Sequence, residues 1–196
     1  MKLPSSQELQ ISTQDLQCLI SETKEILLDN INYPKKFRLS NYFKKLSPSL
    51  IERVSSMISH FDEYKDLKWH YEIFHSVEPV GFHNDRNFFP EHNERCDRGL
   101  IIPLEWSSSV PHTIFYDLFY EDKVNWDGQG FSTLDGEKKE FPQEALGEGF
   151  PAAWETKKVL FFDSLQVHNA SSFGKKLDDY KLSINGLGYS QHFKNT

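Results

Sequence analysis

The spacing of hydrophobic residues divides the chain into a helical first part and a β-rich remainder, with the change near residue 67. In the first part, apolar residues recur at intervals of three and four, which is the period of an amphipathic helix. Ser12 has the side chain of an N-cap and Asp15 stands at the N3 position, so the first helix is predicted to begin here. We expect this helix to end near Asn30. Its apolar face comprises Leu16, Leu19, Ile20 and Leu27.

A second helix is predicted to start at Ser47, because Pro48 suits the first turn, where a helix makes no use of the backbone N–H. Its apolar residues fall along one face, which needs a hydrophobic surface to pack against. The residues of this face are Leu50, Ile51, Val54, Met57, Ile58 and Phe61.

From Trp69 onward the helical period gives way to short β-rich runs bounded by Gly, Pro, Asn, Asp and Ser. Helices followed by strands favour an α+β protein, mainly β, whose antiparallel sheets carry the helices on one outer face. We interpret the 196 residues as a single domain, with a helical part over 1–66 and a β core over 67–190. The predicted strands are 69–77, 98–106, 112–120, 158–168 and 180–189.

The segment 122–154 is a long connection that contains five Gly and two Pro. Connections between elements are typically about 4–6 residues long, and longer ones often cover a binding site. Asp135-Gly136 suits a two-residue hairpin turn, so residues 131–141 are predicted to form a ribbon. Both a ribbon that covers the site and a surface hairpin without function stay open.

The composition excludes several classes of protein. With 38% hydrophobic and 26% charged residues the chain is globular, and no apolar run approaches the length of a membrane span. A net charge of −7 disfavours nucleic acid as a partner, despite a basic stretch over 35–45. The polar N-terminus does not resemble a secretion signal, and Cys18 and Cys96 are too few for a disulfide framework. We therefore expect a cytoplasmic protein.

A histidine followed two positions later by an acidic residue has a spacing that lets a β-strand aim both side chains at one ion, and three such pairs are candidates here. His60 and Asp62 close the second predicted helix, where residues two apart point to nearly opposite sides. His92 and Glu94 lie in a polar run without the apolar alternation that would hold them rigid. Neither of these pairs is expected to bind a metal.

The third pair, His83 and Asp85, follows an extended run in which Gly81 permits a tight backbone. Two histidines and one carboxylate form the facial triad that leaves positions open on a non-heme iron, so a distant third ligand is needed. His168 fits best, because it ends the most β-like run of the chain, KVLFFDSLQVH, at a predicted sheet rim. A core or surface role is the ordinary expectation for the competing histidines. These are His70, His75 and His112.

A candidate site for an anion follows shortly after His168. The run 180–185 places Lys181, Ser183 and Asn185 on one face of a strand. A cation beside a hydroxyl group suits the binding of a carboxylate.

Taken together, these features resemble the 2-oxoglutarate/Fe(II)-dependent dioxygenases over residues 69–189. The shared features are His-x-Asp, a distant histidine on a strand, and a basic residue with a serine two positions further on. The resemblance implies a double-stranded β-helix, a jelly-roll or cupin-like barrel, with the site inside its mouth. It also implies that His83, Asp85 and His168 bind Fe(II).

The same resemblance implies that Lys181 pairs with the distal carboxylate of 2-oxoglutarate and that Ser183 donates a hydrogen bond to this group. Tyr71 is a candidate for a further hydroxyl contact, with aromatic core packing as the alternative. Most members of the family carry Arg where this chain has Lys, and here the basic residue follows the histidine by thirteen positions, further than is common. Some branches place the basic residue on the strand after His-x-Asp, so Arg98 is the alternative to Lys181.

The activity implied by the resemblance is hydroxylation of a C–H bond, with dioxygen and 2-oxoglutarate as co-substrates, succinate and CO2 as products, and ascorbate as an added reductant. Asp85 favours hydroxylation over halogenation, because halogenating relatives lack this carboxylate. A peptide, an amino acid and a small metabolite all stay open as substrates, and the oligomeric state is open too. The competing hypotheses are a non-oxidative metal-binding cupin-like barrel, such as an isomerase, and a binding module without catalysis.

Overall fold

The computed structural model describes both N-terminal helices, most of the predicted strands and the segments around the candidate ligands. The described residues are 3–28, 42–77, 79–85, 88–89, 94–107, 110–119, 131–132, 138–139, 147–171 and 179–190. The Asp135-Gly136 turn and most of the segment 122–154 lie outside them.

Helices and antiparallel strands make up the described part of the chain. The helices are α1 (Thr13–Leu28) and α2 (Pro48–Ile58). Neither of them combines the length and the hydropathy that a membrane-spanning helix needs. The strands, in chain order, are β1 (Ser5–Glu8), β2 (Tyr42–Lys45), β3 (Lys68–Ser76), β4 (Phe88–Phe89), β5 (Glu94–Arg95), β6 (Arg98–Trp106), β7 (His112–Phe119), β8 (Phe131–Ser132), β9 (Lys138–Lys139), β10 (Phe150–Ala153), β11 (Lys158–Asp163), β12 (Gln166–Ala170) and β13 (Lys181–Tyr189).

Most of the described strands belong to two antiparallel sheets. The larger sheet has the order β1-β11-β6-β13-β3-β2, and the smaller has the order β10-β7-β12. Two short ribbons, β4 with β5 and β8 with β9, stand apart from them. In the second ribbon Phe131 pairs with Lys139, which confirms the ribbon predicted over 131–141.

The alternation of side chains across the large sheet creates two hydrophobic clusters, one on each face. The outer cluster lies between the sheet and both helices, as the order of elements predicts. Its buried members include Leu19, Leu27, Leu50, Val54, Ile73, Leu100, Ile102, Leu182 and Ile184. The inner cluster lies between the two sheets and comprises Ile101, Phe115, Ala152, Trp154, Leu160 and Phe162.

Both helices begin where the sequence predicts. Ser12 Oγ accepts a hydrogen bond from the Asp15 N–H at 3.0 Å, and Ser47 Oγ accepts one from the Leu50 N–H at 3.3 Å. These side chains satisfy N–H groups that have no partner inside the helix. The expectation that Ile51 faces the core is wrong, because its side chain lies at the edge of the apolar face and is 39% exposed. The buried residues of α2 are Leu50, Val54 and Ile58.

Among the strands of the two main sheets, the hydrophobic pattern misses three short edge strands. β1 and β2 lie in the part that was predicted to be helical, and β10 lies in the segment 122–154. Each has only four residues, too few to display an alternation of apolar and polar side chains. They form strands because each completes the edge of a sheet, β1 on β11, β2 on β3 and β10 on β7.

The prediction of one strand over 158–168 is wrong, and the correction bears on the candidate site. The chain turns at Ser164 and Leu165, where Asp163 Oδ1 accepts a hydrogen bond from the Leu165 N–H at 3.1 Å. β11 therefore lies in the large sheet and β12 in the small one. The turn places His168 on the small sheet. Periodicity does not mark it, because apolar residues continue on both sides.

Burial rather than helical spacing should decide what each isoleucine of α2 contributes to stability. Ile58 is 1% exposed, whereas Ile51 is 39% exposed. Ile58→Ala should lower the free energy of unfolding by about 2–5 kcal/mol, because it leaves a cavity between helix and sheet. Ile51→Ala makes the same chemical change on the same helix and should cost no more than about 1 kcal/mol. Urea denaturation measures both, and equal losses would contradict the described packing.

Candidate metal centre

The backbone of residues 83–85 is tied to β12 and to the turn before it. The His83 N–H donates to the His168 carbonyl at 2.9 Å, and the His168 N–H donates to the His83 carbonyl at 2.8 Å. The Asp85 N–H donates to the Ser164 carbonyl at 3.0 Å. Residues that face each other in an antiparallel pair carry their side chains on the same side. The two imidazole rings therefore lie together, with their centroids 4.3 Å apart.

Each imidazole is oriented by a hydrogen bond to a carbonyl two residues earlier in the chain. His83 Nδ1 lies 2.7 Å from the Gly81 carbonyl oxygen, and His168 Nδ1 lies 3.0 Å from the Gln166 carbonyl oxygen. A carbonyl oxygen can only accept, so Nδ1 carries the proton in both rings. In the neutral form of an imidazole with this tautomer the lone pair is on Nε2, which is then the nitrogen that can bind a metal.

The carboxylate of Asp85 completes the group. Its Oδ1 lies 3.7 Å from His83 Nε2 and 3.8 Å from His168 Nε2. The three ligand atoms lie within 4.8 Å of one another. Two imidazole nitrogens and one carboxylate oxygen form a donor set that suits a divalent transition metal and leaves further coordination positions open. The structure thus brings together the three residues that the sequence singles out.

The surroundings of His168 keep its ring neutral. The residue is 3% exposed, and its ring packs against Phe162 at 4.9 Å and against Phe115 at 5.4 Å. Burial, together with the neighbouring His83, lowers the pKa of His168 to about 4. At neutral pH the imidazole is therefore in the form that binds a metal, with no proton to release first.

A cavity of about 380 Å³ opens beside the three ligand side chains. Among the described residues that line it, the charged groups apart from the histidines are Asp85 and Lys181. Aromatic rings and neutral polar groups from both sheets form much of the remaining wall. They include Phe43, Phe74, Thr113, Trp154 and Asn185.

Lys181 is a buried cation in the same cavity. The side chain is 3% exposed, and Nζ lies 4.7 Å from the centre of the Trp154 ring and 5.8 Å from that of Phe74. Burial lowers the pKa of Lys181 to about 7, because the charged form loses its hydration. A carboxylate that enters the cavity would compensate for this loss, which is the chemistry that the sequence predicts for this residue.

Ser183 and Asn185 share a strand face with Lys181, but only Asn185 lines the cavity. Ser183 is fully buried, and its hydroxyl group donates to Asn185 Oδ1 at 2.7 Å. The Ser183 hydroxyl group is therefore engaged by Asn185, and Ser183 is not among the described residues that line the cavity. The sequence places Asn185 on the correct face, so this residue could have been found by the same alternation.

The structure contradicts the role predicted for Tyr71. Tyr71 and the cavity-lining Phe74 are three residues apart on β3, so their side chains are on opposite faces. Tyr71 is 2% exposed in the outer cluster, with its ring stacked 6.2 Å from that of Trp69. Burial there raises the pKa of Tyr71 to about 12. The alternative of aromatic core packing is therefore the correct one.

The alternative assignment of the basic residue to Arg98 is not supported either. Arg98 Nη1 lies 3.2 Å from Asp163 Oδ2, an ion pair between the ends of β6 and β11. Arg98 is not among the residues that line the cavity. Of the two candidates, Lys181 is the one that lines the same cavity as the candidate metal ligands.

The two His-x-acid pairs that the sequence disfavours are described to different extents. His60 is exposed at the end of α2, with Nδ1 2.8 Å from the Ser56 carbonyl oxygen. Asp62 forms an ion pair with Lys65 at 3.1 Å. The side chains of His92 and Glu94 lie outside the described residues.

Sequence reasoning missed the aromatic residues around Lys181. Trp154 ends the segment 122–154, where no periodic signal indicates that a side chain enters the core. Phe74 lies on a strand whose two faces are both largely buried, so alternation of apolar and polar residues does not distinguish them. Both residues reach the cavity because the two sheets pack together, and the strands of these sheets are distant from one another in sequence.

The sequence matches no protein-family model and no curated protein. Solved structures do resemble the fold. A prolyl-4-hydroxylase from Pseudomonas putida matches with a TM-score of 0.54 and 12% identity, over 96% of this chain and 92% of that one. The epimerase SnoN, in complex with Fe3+, alpha ketoglutarate and nogalamycin RO, matches with a TM-score of 0.63 and 10% identity, over 95% and 78% of the two chains.

The non-heme alpha ketoglutarate-dependent carbocyclase SnoK from nogalamycin biosynthesis matches with a TM-score of 0.62 and 10% identity, over 95% of this chain and 80% of that one. At such identities these likenesses establish the fold. They confirm the double-stranded β-helix that the sequence predicts, with the helices on the outside of the large sheet.

Removal of a ligand side chain should weaken the binding of a divalent metal. Loss of a residue that hydrogen-bonds to a metal ligand lowers metal affinity by roughly 10–100-fold. Loss of the ligand itself should cost more, so His83→Ala should weaken Fe(II) or Mn(II) binding by at least about 100-fold. Equilibrium dialysis without dioxygen measures this. His60→Ala removes an exposed imidazole elsewhere and serves as the matched control. Equal affinity of the two variants would refute the metal centre.

Proposed function

We propose that this chain is an Fe(II)- and 2-oxoglutarate-dependent oxygenase that hydroxylates a C–H bond. The observation that carries the proposal is the presence, in one cavity, of a two-histidine, one-carboxylate donor set and a buried lysine. A non-oxidative metal-binding barrel requires the donor set but has no use for a buried cation that can receive a dianionic co-substrate. The combination therefore favours the oxygenase.

The three ligand residues fit a divalent iron ion. His83 and His168 would bind it through Nε2, since both Nδ1 atoms are engaged by carbonyl oxygens, and Asp85 would bind it through its carboxylate. When bound, Fe(II) and 2-oxoglutarate supply the oxidising chemistry with dioxygen, and 2-oxoglutarate is consumed to succinate and CO2. The protein supplies ligands whose positions are fixed by backbone pairing before the metal arrives.

The second contribution of the protein is the binding of the co-substrate carboxylate. Lys181 lies where water is largely excluded, so an ion pair with a carboxylate is worth more there than at the surface. A lysine forms a compact point charge and lacks the two-pronged geometry of arginine. Asn185, held by Ser183, adds a polar group from the same strand to the cavity wall.

Asp85 supports hydroxylation as the reaction, because its carboxylate would take the coordination position that a halogenating site leaves for halide. The similar structures are named as a prolyl-4-hydroxylase, an epimerase and a carbocyclase. A peptide, an amino acid and a small metabolite are the proposed substrate classes, with the cytoplasm as the proposed location. The neutral lining of the rest of the cavity suits a substrate group without charge.

Turnover of 2-oxoglutarate tests the proposal directly. Purified protein is incubated with Fe(II), ascorbate and 2-oxoglutarate in air, and succinate is measured against a reaction that contains the metal but no protein. The wild type should form succinate above this background even without a prime substrate. A wild type that binds Fe(II) but forms no succinate would favour the non-oxidative barrel instead.

Asp85→Ala should reduce succinate formation to the metal-only background, because the metal loses its single carboxylate ligand. The matched control is Asp62→Ala, which removes the carboxylate of a His-x-Asp pair that lies outside the cavity. The control should form succinate at the wild-type rate. Full activity of Asp85→Ala would remove the triad assignment.

The affinity for 2-oxoglutarate should weaken as pH rises above neutral. The pKa of Lys181 is lowered to about 7, so below this pH the ammonium is present and above it the amine must be protonated on binding. The dissociation constant should therefore rise by up to about tenfold per pH unit above pH ~7. Calorimetry with the Fe(II) protein without dioxygen measures it. Other titratable groups that line the cavity are His83, Asp85 and His168.

Two variants isolate the contribution of Lys181 from that of the metal ligands. Lys181→Arg keeps a positive charge throughout this pH range and should show a flat profile. Lys181→Met removes the charge and should bind 2-oxoglutarate poorly at every pH. The same slope in wild type and Lys181→Arg would show that another group is responsible.

A further inference from the structure

The ammonium group of Lys181 lies between two aromatic rings that come from opposite sheets. Trp154 directly follows β10 of the small sheet, and its ring centre lies 4.7 Å from Nζ. Phe74 belongs to β3 of the large sheet, and its ring centre lies 5.8 Å from Nζ. Both distances are within the range of a cation–π interaction, which is strongest for tryptophan.

The ring of Trp154 is fixed in place. It is 2% exposed, and its Nε1–H donates to Thr113 Oγ1 at 3.1 Å. The backbone N–H of Trp154 donates to the Pro111 carbonyl at 2.9 Å. A ring held at its backbone and at its far edge cannot swing away from Lys181 without breaking a buried hydrogen bond, which is unfavourable.

Phe74 also contacts a third aromatic ring. Phe43 of β2 stacks on it with ring centroids 4.4 Å apart and an interplanar angle of 20°. Trp154, Phe74 and Phe43 all line the cavity. Aromatic rings therefore line the cavity beside the position of the ammonium, and they limit where an anion bound to Lys181 can lie.

We propose that Trp154 determines the length of the 2-oxo diacid that this protein accepts, by holding the ammonium of Lys181 and by closing the cavity beside it. This inference rests on the proposed function. A diacid has one end at the metal and the other at Lys181, so the distance between these two fixed points selects its chain length. The indole ring makes one of these points rigid, and the five-carbon 2-oxoglutarate is the selected chain.

The 2-oxo diacids that are one carbon longer or one carbon shorter should bind poorly, for different reasons. The six-carbon 2-oxoadipate needs room for one more methylene beside Lys181, where the indole ring stands. The four-carbon oxaloacetate is too short to reach an ammonium that the ring prevents from moving towards it. Replacement of Trp154 by a smaller aliphatic residue makes room and releases the ammonium, so the first of these restrictions should be lost.

The test measures binding of 2-oxoglutarate and 2-oxoadipate to the Fe(II) protein by calorimetry without dioxygen. The wild type should prefer 2-oxoglutarate by at least about tenfold. In Trp154→Leu the affinity for 2-oxoglutarate should fall by about tenfold, and the preference should fall to near equality. A purely structural role of Trp154 would weaken both ligands equally and leave the ratio unchanged, which would overturn the inference.

Leu160→Ala is the matched control, because Leu160 belongs to the same inner cluster as Trp154 but does not line the cavity. It should lower stability while keeping the wild-type ratio of affinities. If circular dichroism shows that Trp154→Leu does not fold, Trp154→Phe is measured instead, and an unchanged ratio of affinities in that variant would overturn the inference.

The outcomes separate this inference from the proposed function. A wild type that binds neither diacid would refute the proposed function and the length selection with it. A wild type that binds 2-oxoglutarate, combined with a Trp154→Leu variant of unchanged preference, would refute the length selection alone. Thr113→Val, which removes the hydrogen bond to the indole and leaves the ring, should produce an intermediate ratio.

Discussion

The candidate site depends on the pair of backbone hydrogen bonds between His83 and His168. These two bonds join segments that are far apart in the chain and fix both imidazoles on one side of the small sheet. Asp85 follows because its own N–H is bound to the Ser164 carbonyl. The Nδ1 hydrogen bonds then limit the freedom of the two imidazole side chains, so the entropy of ordering them is lost during folding rather than on metal binding.

The low polarity of the barrel interior affects two ionisable side chains, His168 and Lys181, with different consequences for the site. Around His168, phenylalanine rings and burial keep an imidazole neutral, which suits a metal ligand. Around Lys181, burial lowers the pKa of the ammonium group, because the charged form is disfavoured where water is excluded. Both effects need the two sheets to close over one cavity, and the inner cluster that includes Phe115, Trp154 and Phe162 provides this closure.

Much of the architecture could be predicted, and the errors share one cause. Capping residues and helical spacing located both helices, and alternation located the long strands, because these signals are local in sequence. The edge strands β1 and β2, the turn at Ser164 and the outward direction of Tyr71 depend on partners from elsewhere in the chain. Hydrophobicity alone does not tell the two faces of a strand apart when both are buried.

The sequence by itself determined the kinds of chemistry available to this protein: an imidazole–carboxylate pair on an extended segment, a third histidine near a strand end, and a lysine soon after it. Spacing along a strand suffices for this, because side chains repeat every two residues. Only the tertiary structure decided that these groups share one cavity, that Lys181 rather than Arg98 lies in it, and that Trp154 stands beside the lysine. Such contacts join the two sheets, and the distance between sheets is set by packing of the whole core and has no local signature in the sequence.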